Sequence, residues 1–179
     1  PQDMVFVGSG SVDLFVQSSS EDADLEVMLS EVRQDGFETF VQAGWLRTSQ
    51  RTLDADQATP LRPAKTYLEA DATPLIPGEY AEARVEIFPF AHVFRAGSRI
   101  RLQVDTPGDS RELWGFILLE YDEPVTHTIA HSSEHPSSVA LPLIPLAEVG
   151  SSPPPCPALR GQPCRPFEPY TNTPAEAGL

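Results

Sequence analysis

Apolar residues recur at every second position in one short segment after another, and this alternation constrains the fold more than any other feature of the chain. Val12, Leu14 and Val16 alternate with polar neighbours, and Leu25, Val27 and Leu29 repeat the spacing. Side chains two apart share one face of a strand, so each trio marks a strand with one buried face. Val85 with Ile87, then Ile100, Leu102 and Val104, continue the pattern, and segments 125–129 and 138–141 close it. Gln34-Asp35-Gly36 supplies turn chemistry ahead of residues 38–41 and predicts a hairpin. Arg95-Ala96-Gly97-Ser98 reads as a second turn. The mostly apolar run 114–121, opening on Trp114, predicts a central buried strand. No segment sustains a 3.6-residue period over three turns. Short strands at turn-punctuated spacing predict an all-β sandwich or barrel.

Proline and charge set the organisation. Residues 53–80 break the rhythm with Pro60, Pro63, Pro74 and Pro77. They are expected to form a long crossover with one edge strand at 65–68, as Greek-key sandwiches require. Eight of the 19 prolines, from Pro153 to Pro174, fall after residue 150. Proline fixes φ and lacks the amide donor, so 151–179 is expected to be an extended tail outside any sheet, and 1–150 the folded body. The chain carries 26 acidic and 12 basic residues, a formal net charge of −14. Nucleic acid and anionic membrane surfaces both need clustered cations, and neither is an expected partner. The chain opens on Pro1 with no signal-peptide pattern, so a fragment of something longer is expected.

Catalytic patterns are missing. No serine has Gly at both −2 and +2, so no nucleophile elbow is present. Gly8-Ser9-Gly10-Ser11 resembles one but precedes a strand and reads as a turn. His127, His131 and His135 recur every four residues. On a strand that spacing spans roughly 13 Å, too far for one zinc ion, so they read as surface histidines. Glu21-Asp22-Ala23-Asp24 lacks the turn glycine and spaced glutamate of a calcium loop and reads as a solvated hairpin end. No metal or cofactor is implied. Trp45, Tyr67, Tyr80 and Trp114 could stack on sugars, with core packing the alternative. His92 reads either as an interface or pocket donor or as a histidine satisfied inside a loop. Cys156 and Cys164 admit a small disulfide loop in an exported protein or two free thiols.

Two longer segments carry a resemblance. One is Asp22-Ala-Asp-Leu-Glu-Val-Met-Leu-Ser-Glu-Val-Arg-Gln-Asp-Gly36, continuing to Gly44-Trp-Leu-Arg47; the other is Val85-Glu-Ile-Phe-Pro-Phe-Ala-His-Val-Phe-Arg-Ala-Gly-Ser-Arg-Ile-Arg-Leu102. Together they resemble the C-terminal domain of Xaa-Pro dipeptidyl-peptidases and cocaine-esterase-like (CocE/NonD) serine hydrolases, from about Met4 to Pro145. The Pro155–Cys164 stretch is similar to tails of some members. The chain departs from that pattern at Gln50, within a Ser-His-Arg of close relatives, and at Ser98, where wider relatives carry His. The resemblance implies a galactose-binding-like jelly roll that follows an α/β-hydrolase domain, packs on it and helps wall its substrate cleft. The Ser-Asp-His triad of such enzymes lies upstream of any residue here, so no catalytic residue carries over. The apolar cluster Phe88, Pro89, Phe90, Val93 and Phe94 around His92 exceeds what one strand face can bury. With Trp45, residues Phe88, Phe90, His92 and Phe94 are therefore the expected contacts with the hydrolase domain. A self-standing carbohydrate- or ligand-binding module is the alternative, and a free-standing enzyme the third reading.

Overall fold

The computed structural model describes residues 2–107, 117–145, 147, 149–156 and 164–169 of the 179. Among the described residues nine strands are present: β1 (Met4–Ser18), β2 (Asp24–Val32), β3 (Phe37–Arg47), β4 (Tyr80–Phe94), β5 (Arg99–Asp105), β6 (His127–Ile129), β7 (Ser138–Ala140), β8 (Leu143–Ile144) and β9 (Cys164–Pro166). They form two antiparallel sheets packed as a β-sandwich. In the first, β1 pairs with β4 on one side and with β6, β7 and β8 in succession along the other. In the second the order is β5-β2-β3-β9. No α-helix occurs among the described residues; Thr48–Gln50 and Glu69–Asp71 are single 3₁₀ turns.

The alternating trios meet between the sheets. Val12, Leu14 and Val16 of β1 and Ala83, Val85 and Ile87 of β4 face Leu25, Val27 and Leu29 of β2, and all are buried. Each such Val, Leu or Ile contributes roughly 1.5–3 kcal/mol of burial. The hairpin at 34–36 joins β2 to β3, with Gly36 at φ 85°. The turn at 95–98 carries the chain from β4 in one sheet to β5 in the other, with Gly97 at φ 82°. Positive φ costs glycine nothing, which is why these turns carry it.

Several expectations are corrected. Gly8-Ser9-Gly10-Ser11 is no turn but part of β1, at a bulge where Gly8 faces Phe90 and Gly10 faces Ile87. One residue of β1 there opposes two of β4, Phe88 and Pro89, and this resets the alternation. Before the bulge Ala83, Val85 and Ile87 point inward; after it Phe90 and Phe94 do. Residues 65–68 form no strand; Lys65 makes only an isolated bridge to Leu53. Trp114 lies outside the described residues, and 117–121 is not a strand. A central slot was not available, because β2 is flanked by β3 and β5 and β1 by β4 and β6–β8. The tail is not excluded from the sheets either. Cys164–Pro166 adds to the β3 edge, and a proline at the end of an edge strand loses no ladder bond that its neighbour needs.

Candidate functional site

The first quoted motif forms a clasp between the start of β2 and the end of β3. Asp22 Oδ1 accepts hydrogen bonds from Thr48 Oγ1 and from the Ser49 amide, both at 2.7 Å. Thr48, fully buried, accepts the Ala23 amide at 2.9 Å and donates its own amide to the Ala23 carbonyl at 2.8 Å. Arg47 grips Asp24 with two parallel bonds, Nε to Oδ1 at 2.7 Å and Nη2 to Oδ2 at 2.9 Å. That bidentate contact raises the Arg47 guanidinium above its ordinary value. Asp22 and Asp24 are thus fastened into the fold and are not a solvated hairpin end. Gly44 lies at the closest approach of the two sheets: a Cβ there would sit 1.6 Å from the Glu86 carbonyl oxygen of β4. Leu46 enters the core, and Trp45, of opposite parity, faces outward.

The clasp also holds a strap. Arg47 Nη2 donates to the Ile117 carbonyl at 2.8 Å, the Leu119 amide donates to Asp24 Oδ2 at 2.9 Å, and Tyr121 Oη donates to the Asp22 carbonyl at 3.1 Å. Ile117 is left 91 % exposed. Trp45, Arg47, Gln50, Tyr67, Ile117 and Leu118 line a cleft of about 340 Å³ at this place. Tyr67 is 70 % exposed and sits at φ 51°, a conformation that costs a tyrosine about 1–3 kcal/mol. Phe88, turned outward by the bulge, packs its ring 5.5 Å from that of Trp45. Phe88, Trp45, Tyr67, Ile117 and Leu118 therefore make one continuous, outward apolar surface.

The other predicted contacts lie elsewhere. Phe94 belongs to the core, edge-on to Phe6 at 5.4 Å, and Phe90 packs against the same core. Both had been expected on an interface; the bulge turns them inward. His92 is in β4, not in a loop, and its Nε2 lies 2.9 Å from Glu31 Oε2. Glu31 Oε1 accepts the Arg95 amide at 2.9 Å. Burial alone would raise the Glu31 carboxyl, but bonds from His92, the Arg95 amide and Ser98 outweigh it and hold it below its ordinary value. Arg95 also reaches Asp3 at 2.8 Å. These groups border a second cleft, of about 680 Å³, whose far wall is Pro153 and Pro154. His92 is thus satisfied within the domain. The motif Phe-Ala-His-Val-Phe-Arg-Ala-Gly fastens β4 to β2, as the first motif fastens β2 to β3.

The remaining histidines are not collected. His127 Nδ1 contacts Ser18 Oγ at 3.1 Å, and burial lowers its proton affinity. His131 is exposed, and His135 is half-buried between Phe15 and Tyr80. Among the described residues no three metal-ligating side chains converge. Cys156 and Cys164 are bonded, with Cα atoms 5.7 Å apart. Sequence reasoning gave no role to Glu31, Glu38 or Ile117 and read Asp24 as solvated. For Glu31 and Glu38 the legible signal was a carboxylate within a predicted strand; Ile117 stood only in an apolar run.

Comparison with known proteins agrees with a fastened, non-catalytic sandwich. Residues 1–140 match the family described as the X-Pro dipeptidyl-peptidase C-terminal non-catalytic domain. A Mycobacterium bovis protein named as a candidate serine esterase is 33 % identical over 136 residues, 74 % of this chain and 21 % of its own length. A CocE/NonD family hydrolase from Staphylococcus aureus superposes with TM-score 0.65 at 24 % identity, over 80 % of this chain and 29 % of that one. An aminopeptidase from a marine-sediment thaumarchaeon superposes with TM-score 0.56 at 20 % identity, over 80 % and 24 %. The chain thus spans about a fifth of the curated relative's length. With the motifs accounted for as clasps, the chain belongs to the X-Pro dipeptidyl-peptidase C-terminal non-catalytic domain family, the β-sandwich also found in CocE/NonD hydrolases.

Proposed function

We propose that this domain is the docking and cleft-walling module of a serine hydrolase acting on ester or amide bonds, X-Pro peptides included, and that its sandwich is the galactose-binding-like jelly roll of that group. One observation carries the reading: the continuous surface of Phe88, Trp45, Tyr67, Ile117 and Leu118, held outward by a bulge, a positive φ and a strap. Apolar side chains fixed in that way on a domain of a non-catalytic family are best accounted for by a partner domain. Contacts between domains of one chain bury roughly 600–1,500 Å². The expected partner is the α/β-hydrolase domain of the same polypeptide.

The test uses Trp45→Ser and Phe88→Ser with a separately expressed hydrolase domain. Both variants are expected to melt close to the parent and to lose co-sedimentation with that domain. Unfolding of both would assign the side chains to the core; normal binding would move the interface to another face. Tyr67 and Trp45 on one cleft also favour a second reading, stacking on a sugar ring. Binding of oligosaccharides that survives addition of the hydrolase domain would support it. On either reading the chain alone hydrolyses neither p-nitrophenyl acetate nor a Gly-Pro-anilide, and fluorophosphonate labels no serine.

A further inference from the structure

We propose that the outer edge of β3 is a strand-acceptor site, that the chain's own C-terminal segment fills it, and that the Cys156–Cys164 link is the latch that keeps it filled. Among the described residues of the filling strand, Pro166, Arg165 and Cys164 pair with Phe37, Glu38 and Thr39. Apart from the Arg165–Glu38 contact, its further anchors lie at the surface. The Phe167 amide donates to the Gly36 carbonyl at 2.9 Å, Arg101 reaches the Glu168 carbonyl at 3.2 Å, and the Arg99 and Arg101 guanidinium groups lie 5.3 and 5.4 Å from the Phe167 ring centre. Contacts of this kind hold an edge strand more firmly when a tether raises its effective concentration.

The disulfide is that tether. On its other side the chain is fixed to the body, because Arg33 Nη1 donates to the Pro154 carbonyl at 2.9 Å and Arg95 Nη2 contacts Ser151 Oγ at 3.4 Å. The bond joins this arm directly to β9, and Cys164 Sγ lies 3.8 Å from Thr39 Oγ1 of β3.

Glu38 makes release feasible. Its carboxylate is 3 % exposed and accepts Ser30 Oγ at 2.5 Å, Arg101 at 2.9 Å and Arg165 at 3.2 Å. When Arg165 leaves, Ser30 and Arg101 remain, so no buried charge is orphaned. The freed β3 edge would present unpaired backbone groups that an extended segment can match. Opening needs a dithiol reductant. One of its thiolates attacks a cysteine sulfur and displaces the other as thiolate. Its second thiol then attacks the mixed disulfide, leaving two cysteine thiols and an oxidised reductant.

The experiment is hydrogen exchange with mass readout on the full chain, comparing the oxidised protein, the same protein after dithiothreitol, and the Cys156→Ser/Cys164→Ser variant. Reduction should add about 2 Da. It should speed exchange of segment 37–41 by about tenfold or more while leaving 12–16 unchanged. The double variant should match the reduced protein. A labelled peptide of the 162–169 sequence with Ser at position 164 should bind the reduced chain and not the oxidised one. The proposal is overturned if the purified chain gains no mass, if exchange at 37–41 is indifferent to reduction, or if the faster exchange extends to β1. Equal peptide binding in both states overturns the acceptor site.

Discussion

Gly44→Ala is the sharpest test of how the two sheets meet. A Cβ at this position would lie 1.6 Å from the Glu86 oxygen, 2.7 Å from the Glu86 carbonyl carbon and 3.3 Å from the Ile87 amide nitrogen. Real Cβ atoms essentially never approach within 3.0 Å, so β3 and β4 must part by about 1.4 Å, 3.0 less 1.6. All three obstacles are backbone atoms, and Val85 and Ile87 on either side of Glu86 are fully buried, so no rotamer change relieves the clash. Overpacking alone costs roughly 1–3 kcal/mol. A gap of that width also forfeits a quarter to a half or more of the dispersion energy of atoms along the seam. Against this stands a gain of about 0.4–1 kcal/mol from restricting the unfolded chain. A net loss of about 3 kcal/mol follows, which lowers Tm by about 6–12 °C for a chain of this size. Gly150, with open space around its Cα and no unusual φ, is the control, and Gly150→Ala should melt with the parent. Differential scanning calorimetry of the three proteins decides the matter. A Gly44→Ala protein melting within about 2 °C of Gly150→Ala would refute the close approach.

Further outcomes are expected from the charged residues. Lys65, the one lysine, is 8 % exposed and donates to the Pro63 and Arg84 carbonyls at 2.5 and 2.6 Å; burial, with the neighbouring Arg84 charge, pushes its pKa down to about 8. The unfolded chain therefore holds a proton that the folded chain has released. Stability should rise between about pH 8 and 10.5 by up to about 1.4 kcal/mol per unit relative to Lys65→Met; parallel urea midpoints for the two proteins across that range would contradict it. Burial would raise the Glu38 carboxyl, but Ser30, Arg165 and Arg101 hold it below its ordinary value, so its contribution is present above about pH 4.5 and lost as pH falls. Glu38→Ala should cost about 1.5–3 kcal/mol at neutral pH and flatten the acid limb of the stability curve. Arg47→Ala should release the 117–121 strap, seen as faster exchange there, and weaken hydrolase-domain binding more than it lowers Tm.

Alternation made the second half of β1, β2, the first half of β4 and β5 legible, because their alternate aliphatics line the core or pack against it, and turn chemistry marked β3. The positions lost were those where a second constraint overrode the period. At Phe88-Pro89 a single extra residue reversed which aromatics faced inward, so Phe90 and Phe94 entered the core and Phe88 left it. Nothing local in the sequence separates an aromatic that breaks parity through a bulge from one that does so on a docking face. Of the apolar run 114–121, the described residues 117–121 form no strand, although their composition suits one; β1 and β2 are each flanked on both sides by other strands. The tail was misjudged because proline was weighed as a strand breaker everywhere, although it is tolerated where only one neighbour exists. The geometry gives the reason for the first motif: Asp22 is held by Thr48 and Ser49, Asp24 and Arg47 by each other, and Gly44 is required by the Glu86 carbonyl.

The partners of β1 also set an order of assembly. Val12 pairs with Val85 on one side and with Val139 on the other, and Val5 pairs with Ile144. β1 is therefore made long before it is completed, since its second edge waits for residues made some 130 positions later. At about 5–20 residues per second that wait is roughly 7–26 s. Throughout it a fifteen-residue strand has an open edge, the kind of surface on which other nascent chains can add. Long-range pairing of this type also folds slowly once all parts are present. Synthesis of this sandwich is thus its most exposed moment, and slowing translation before residue 144 should lower soluble yield more than slowing it after residue 166.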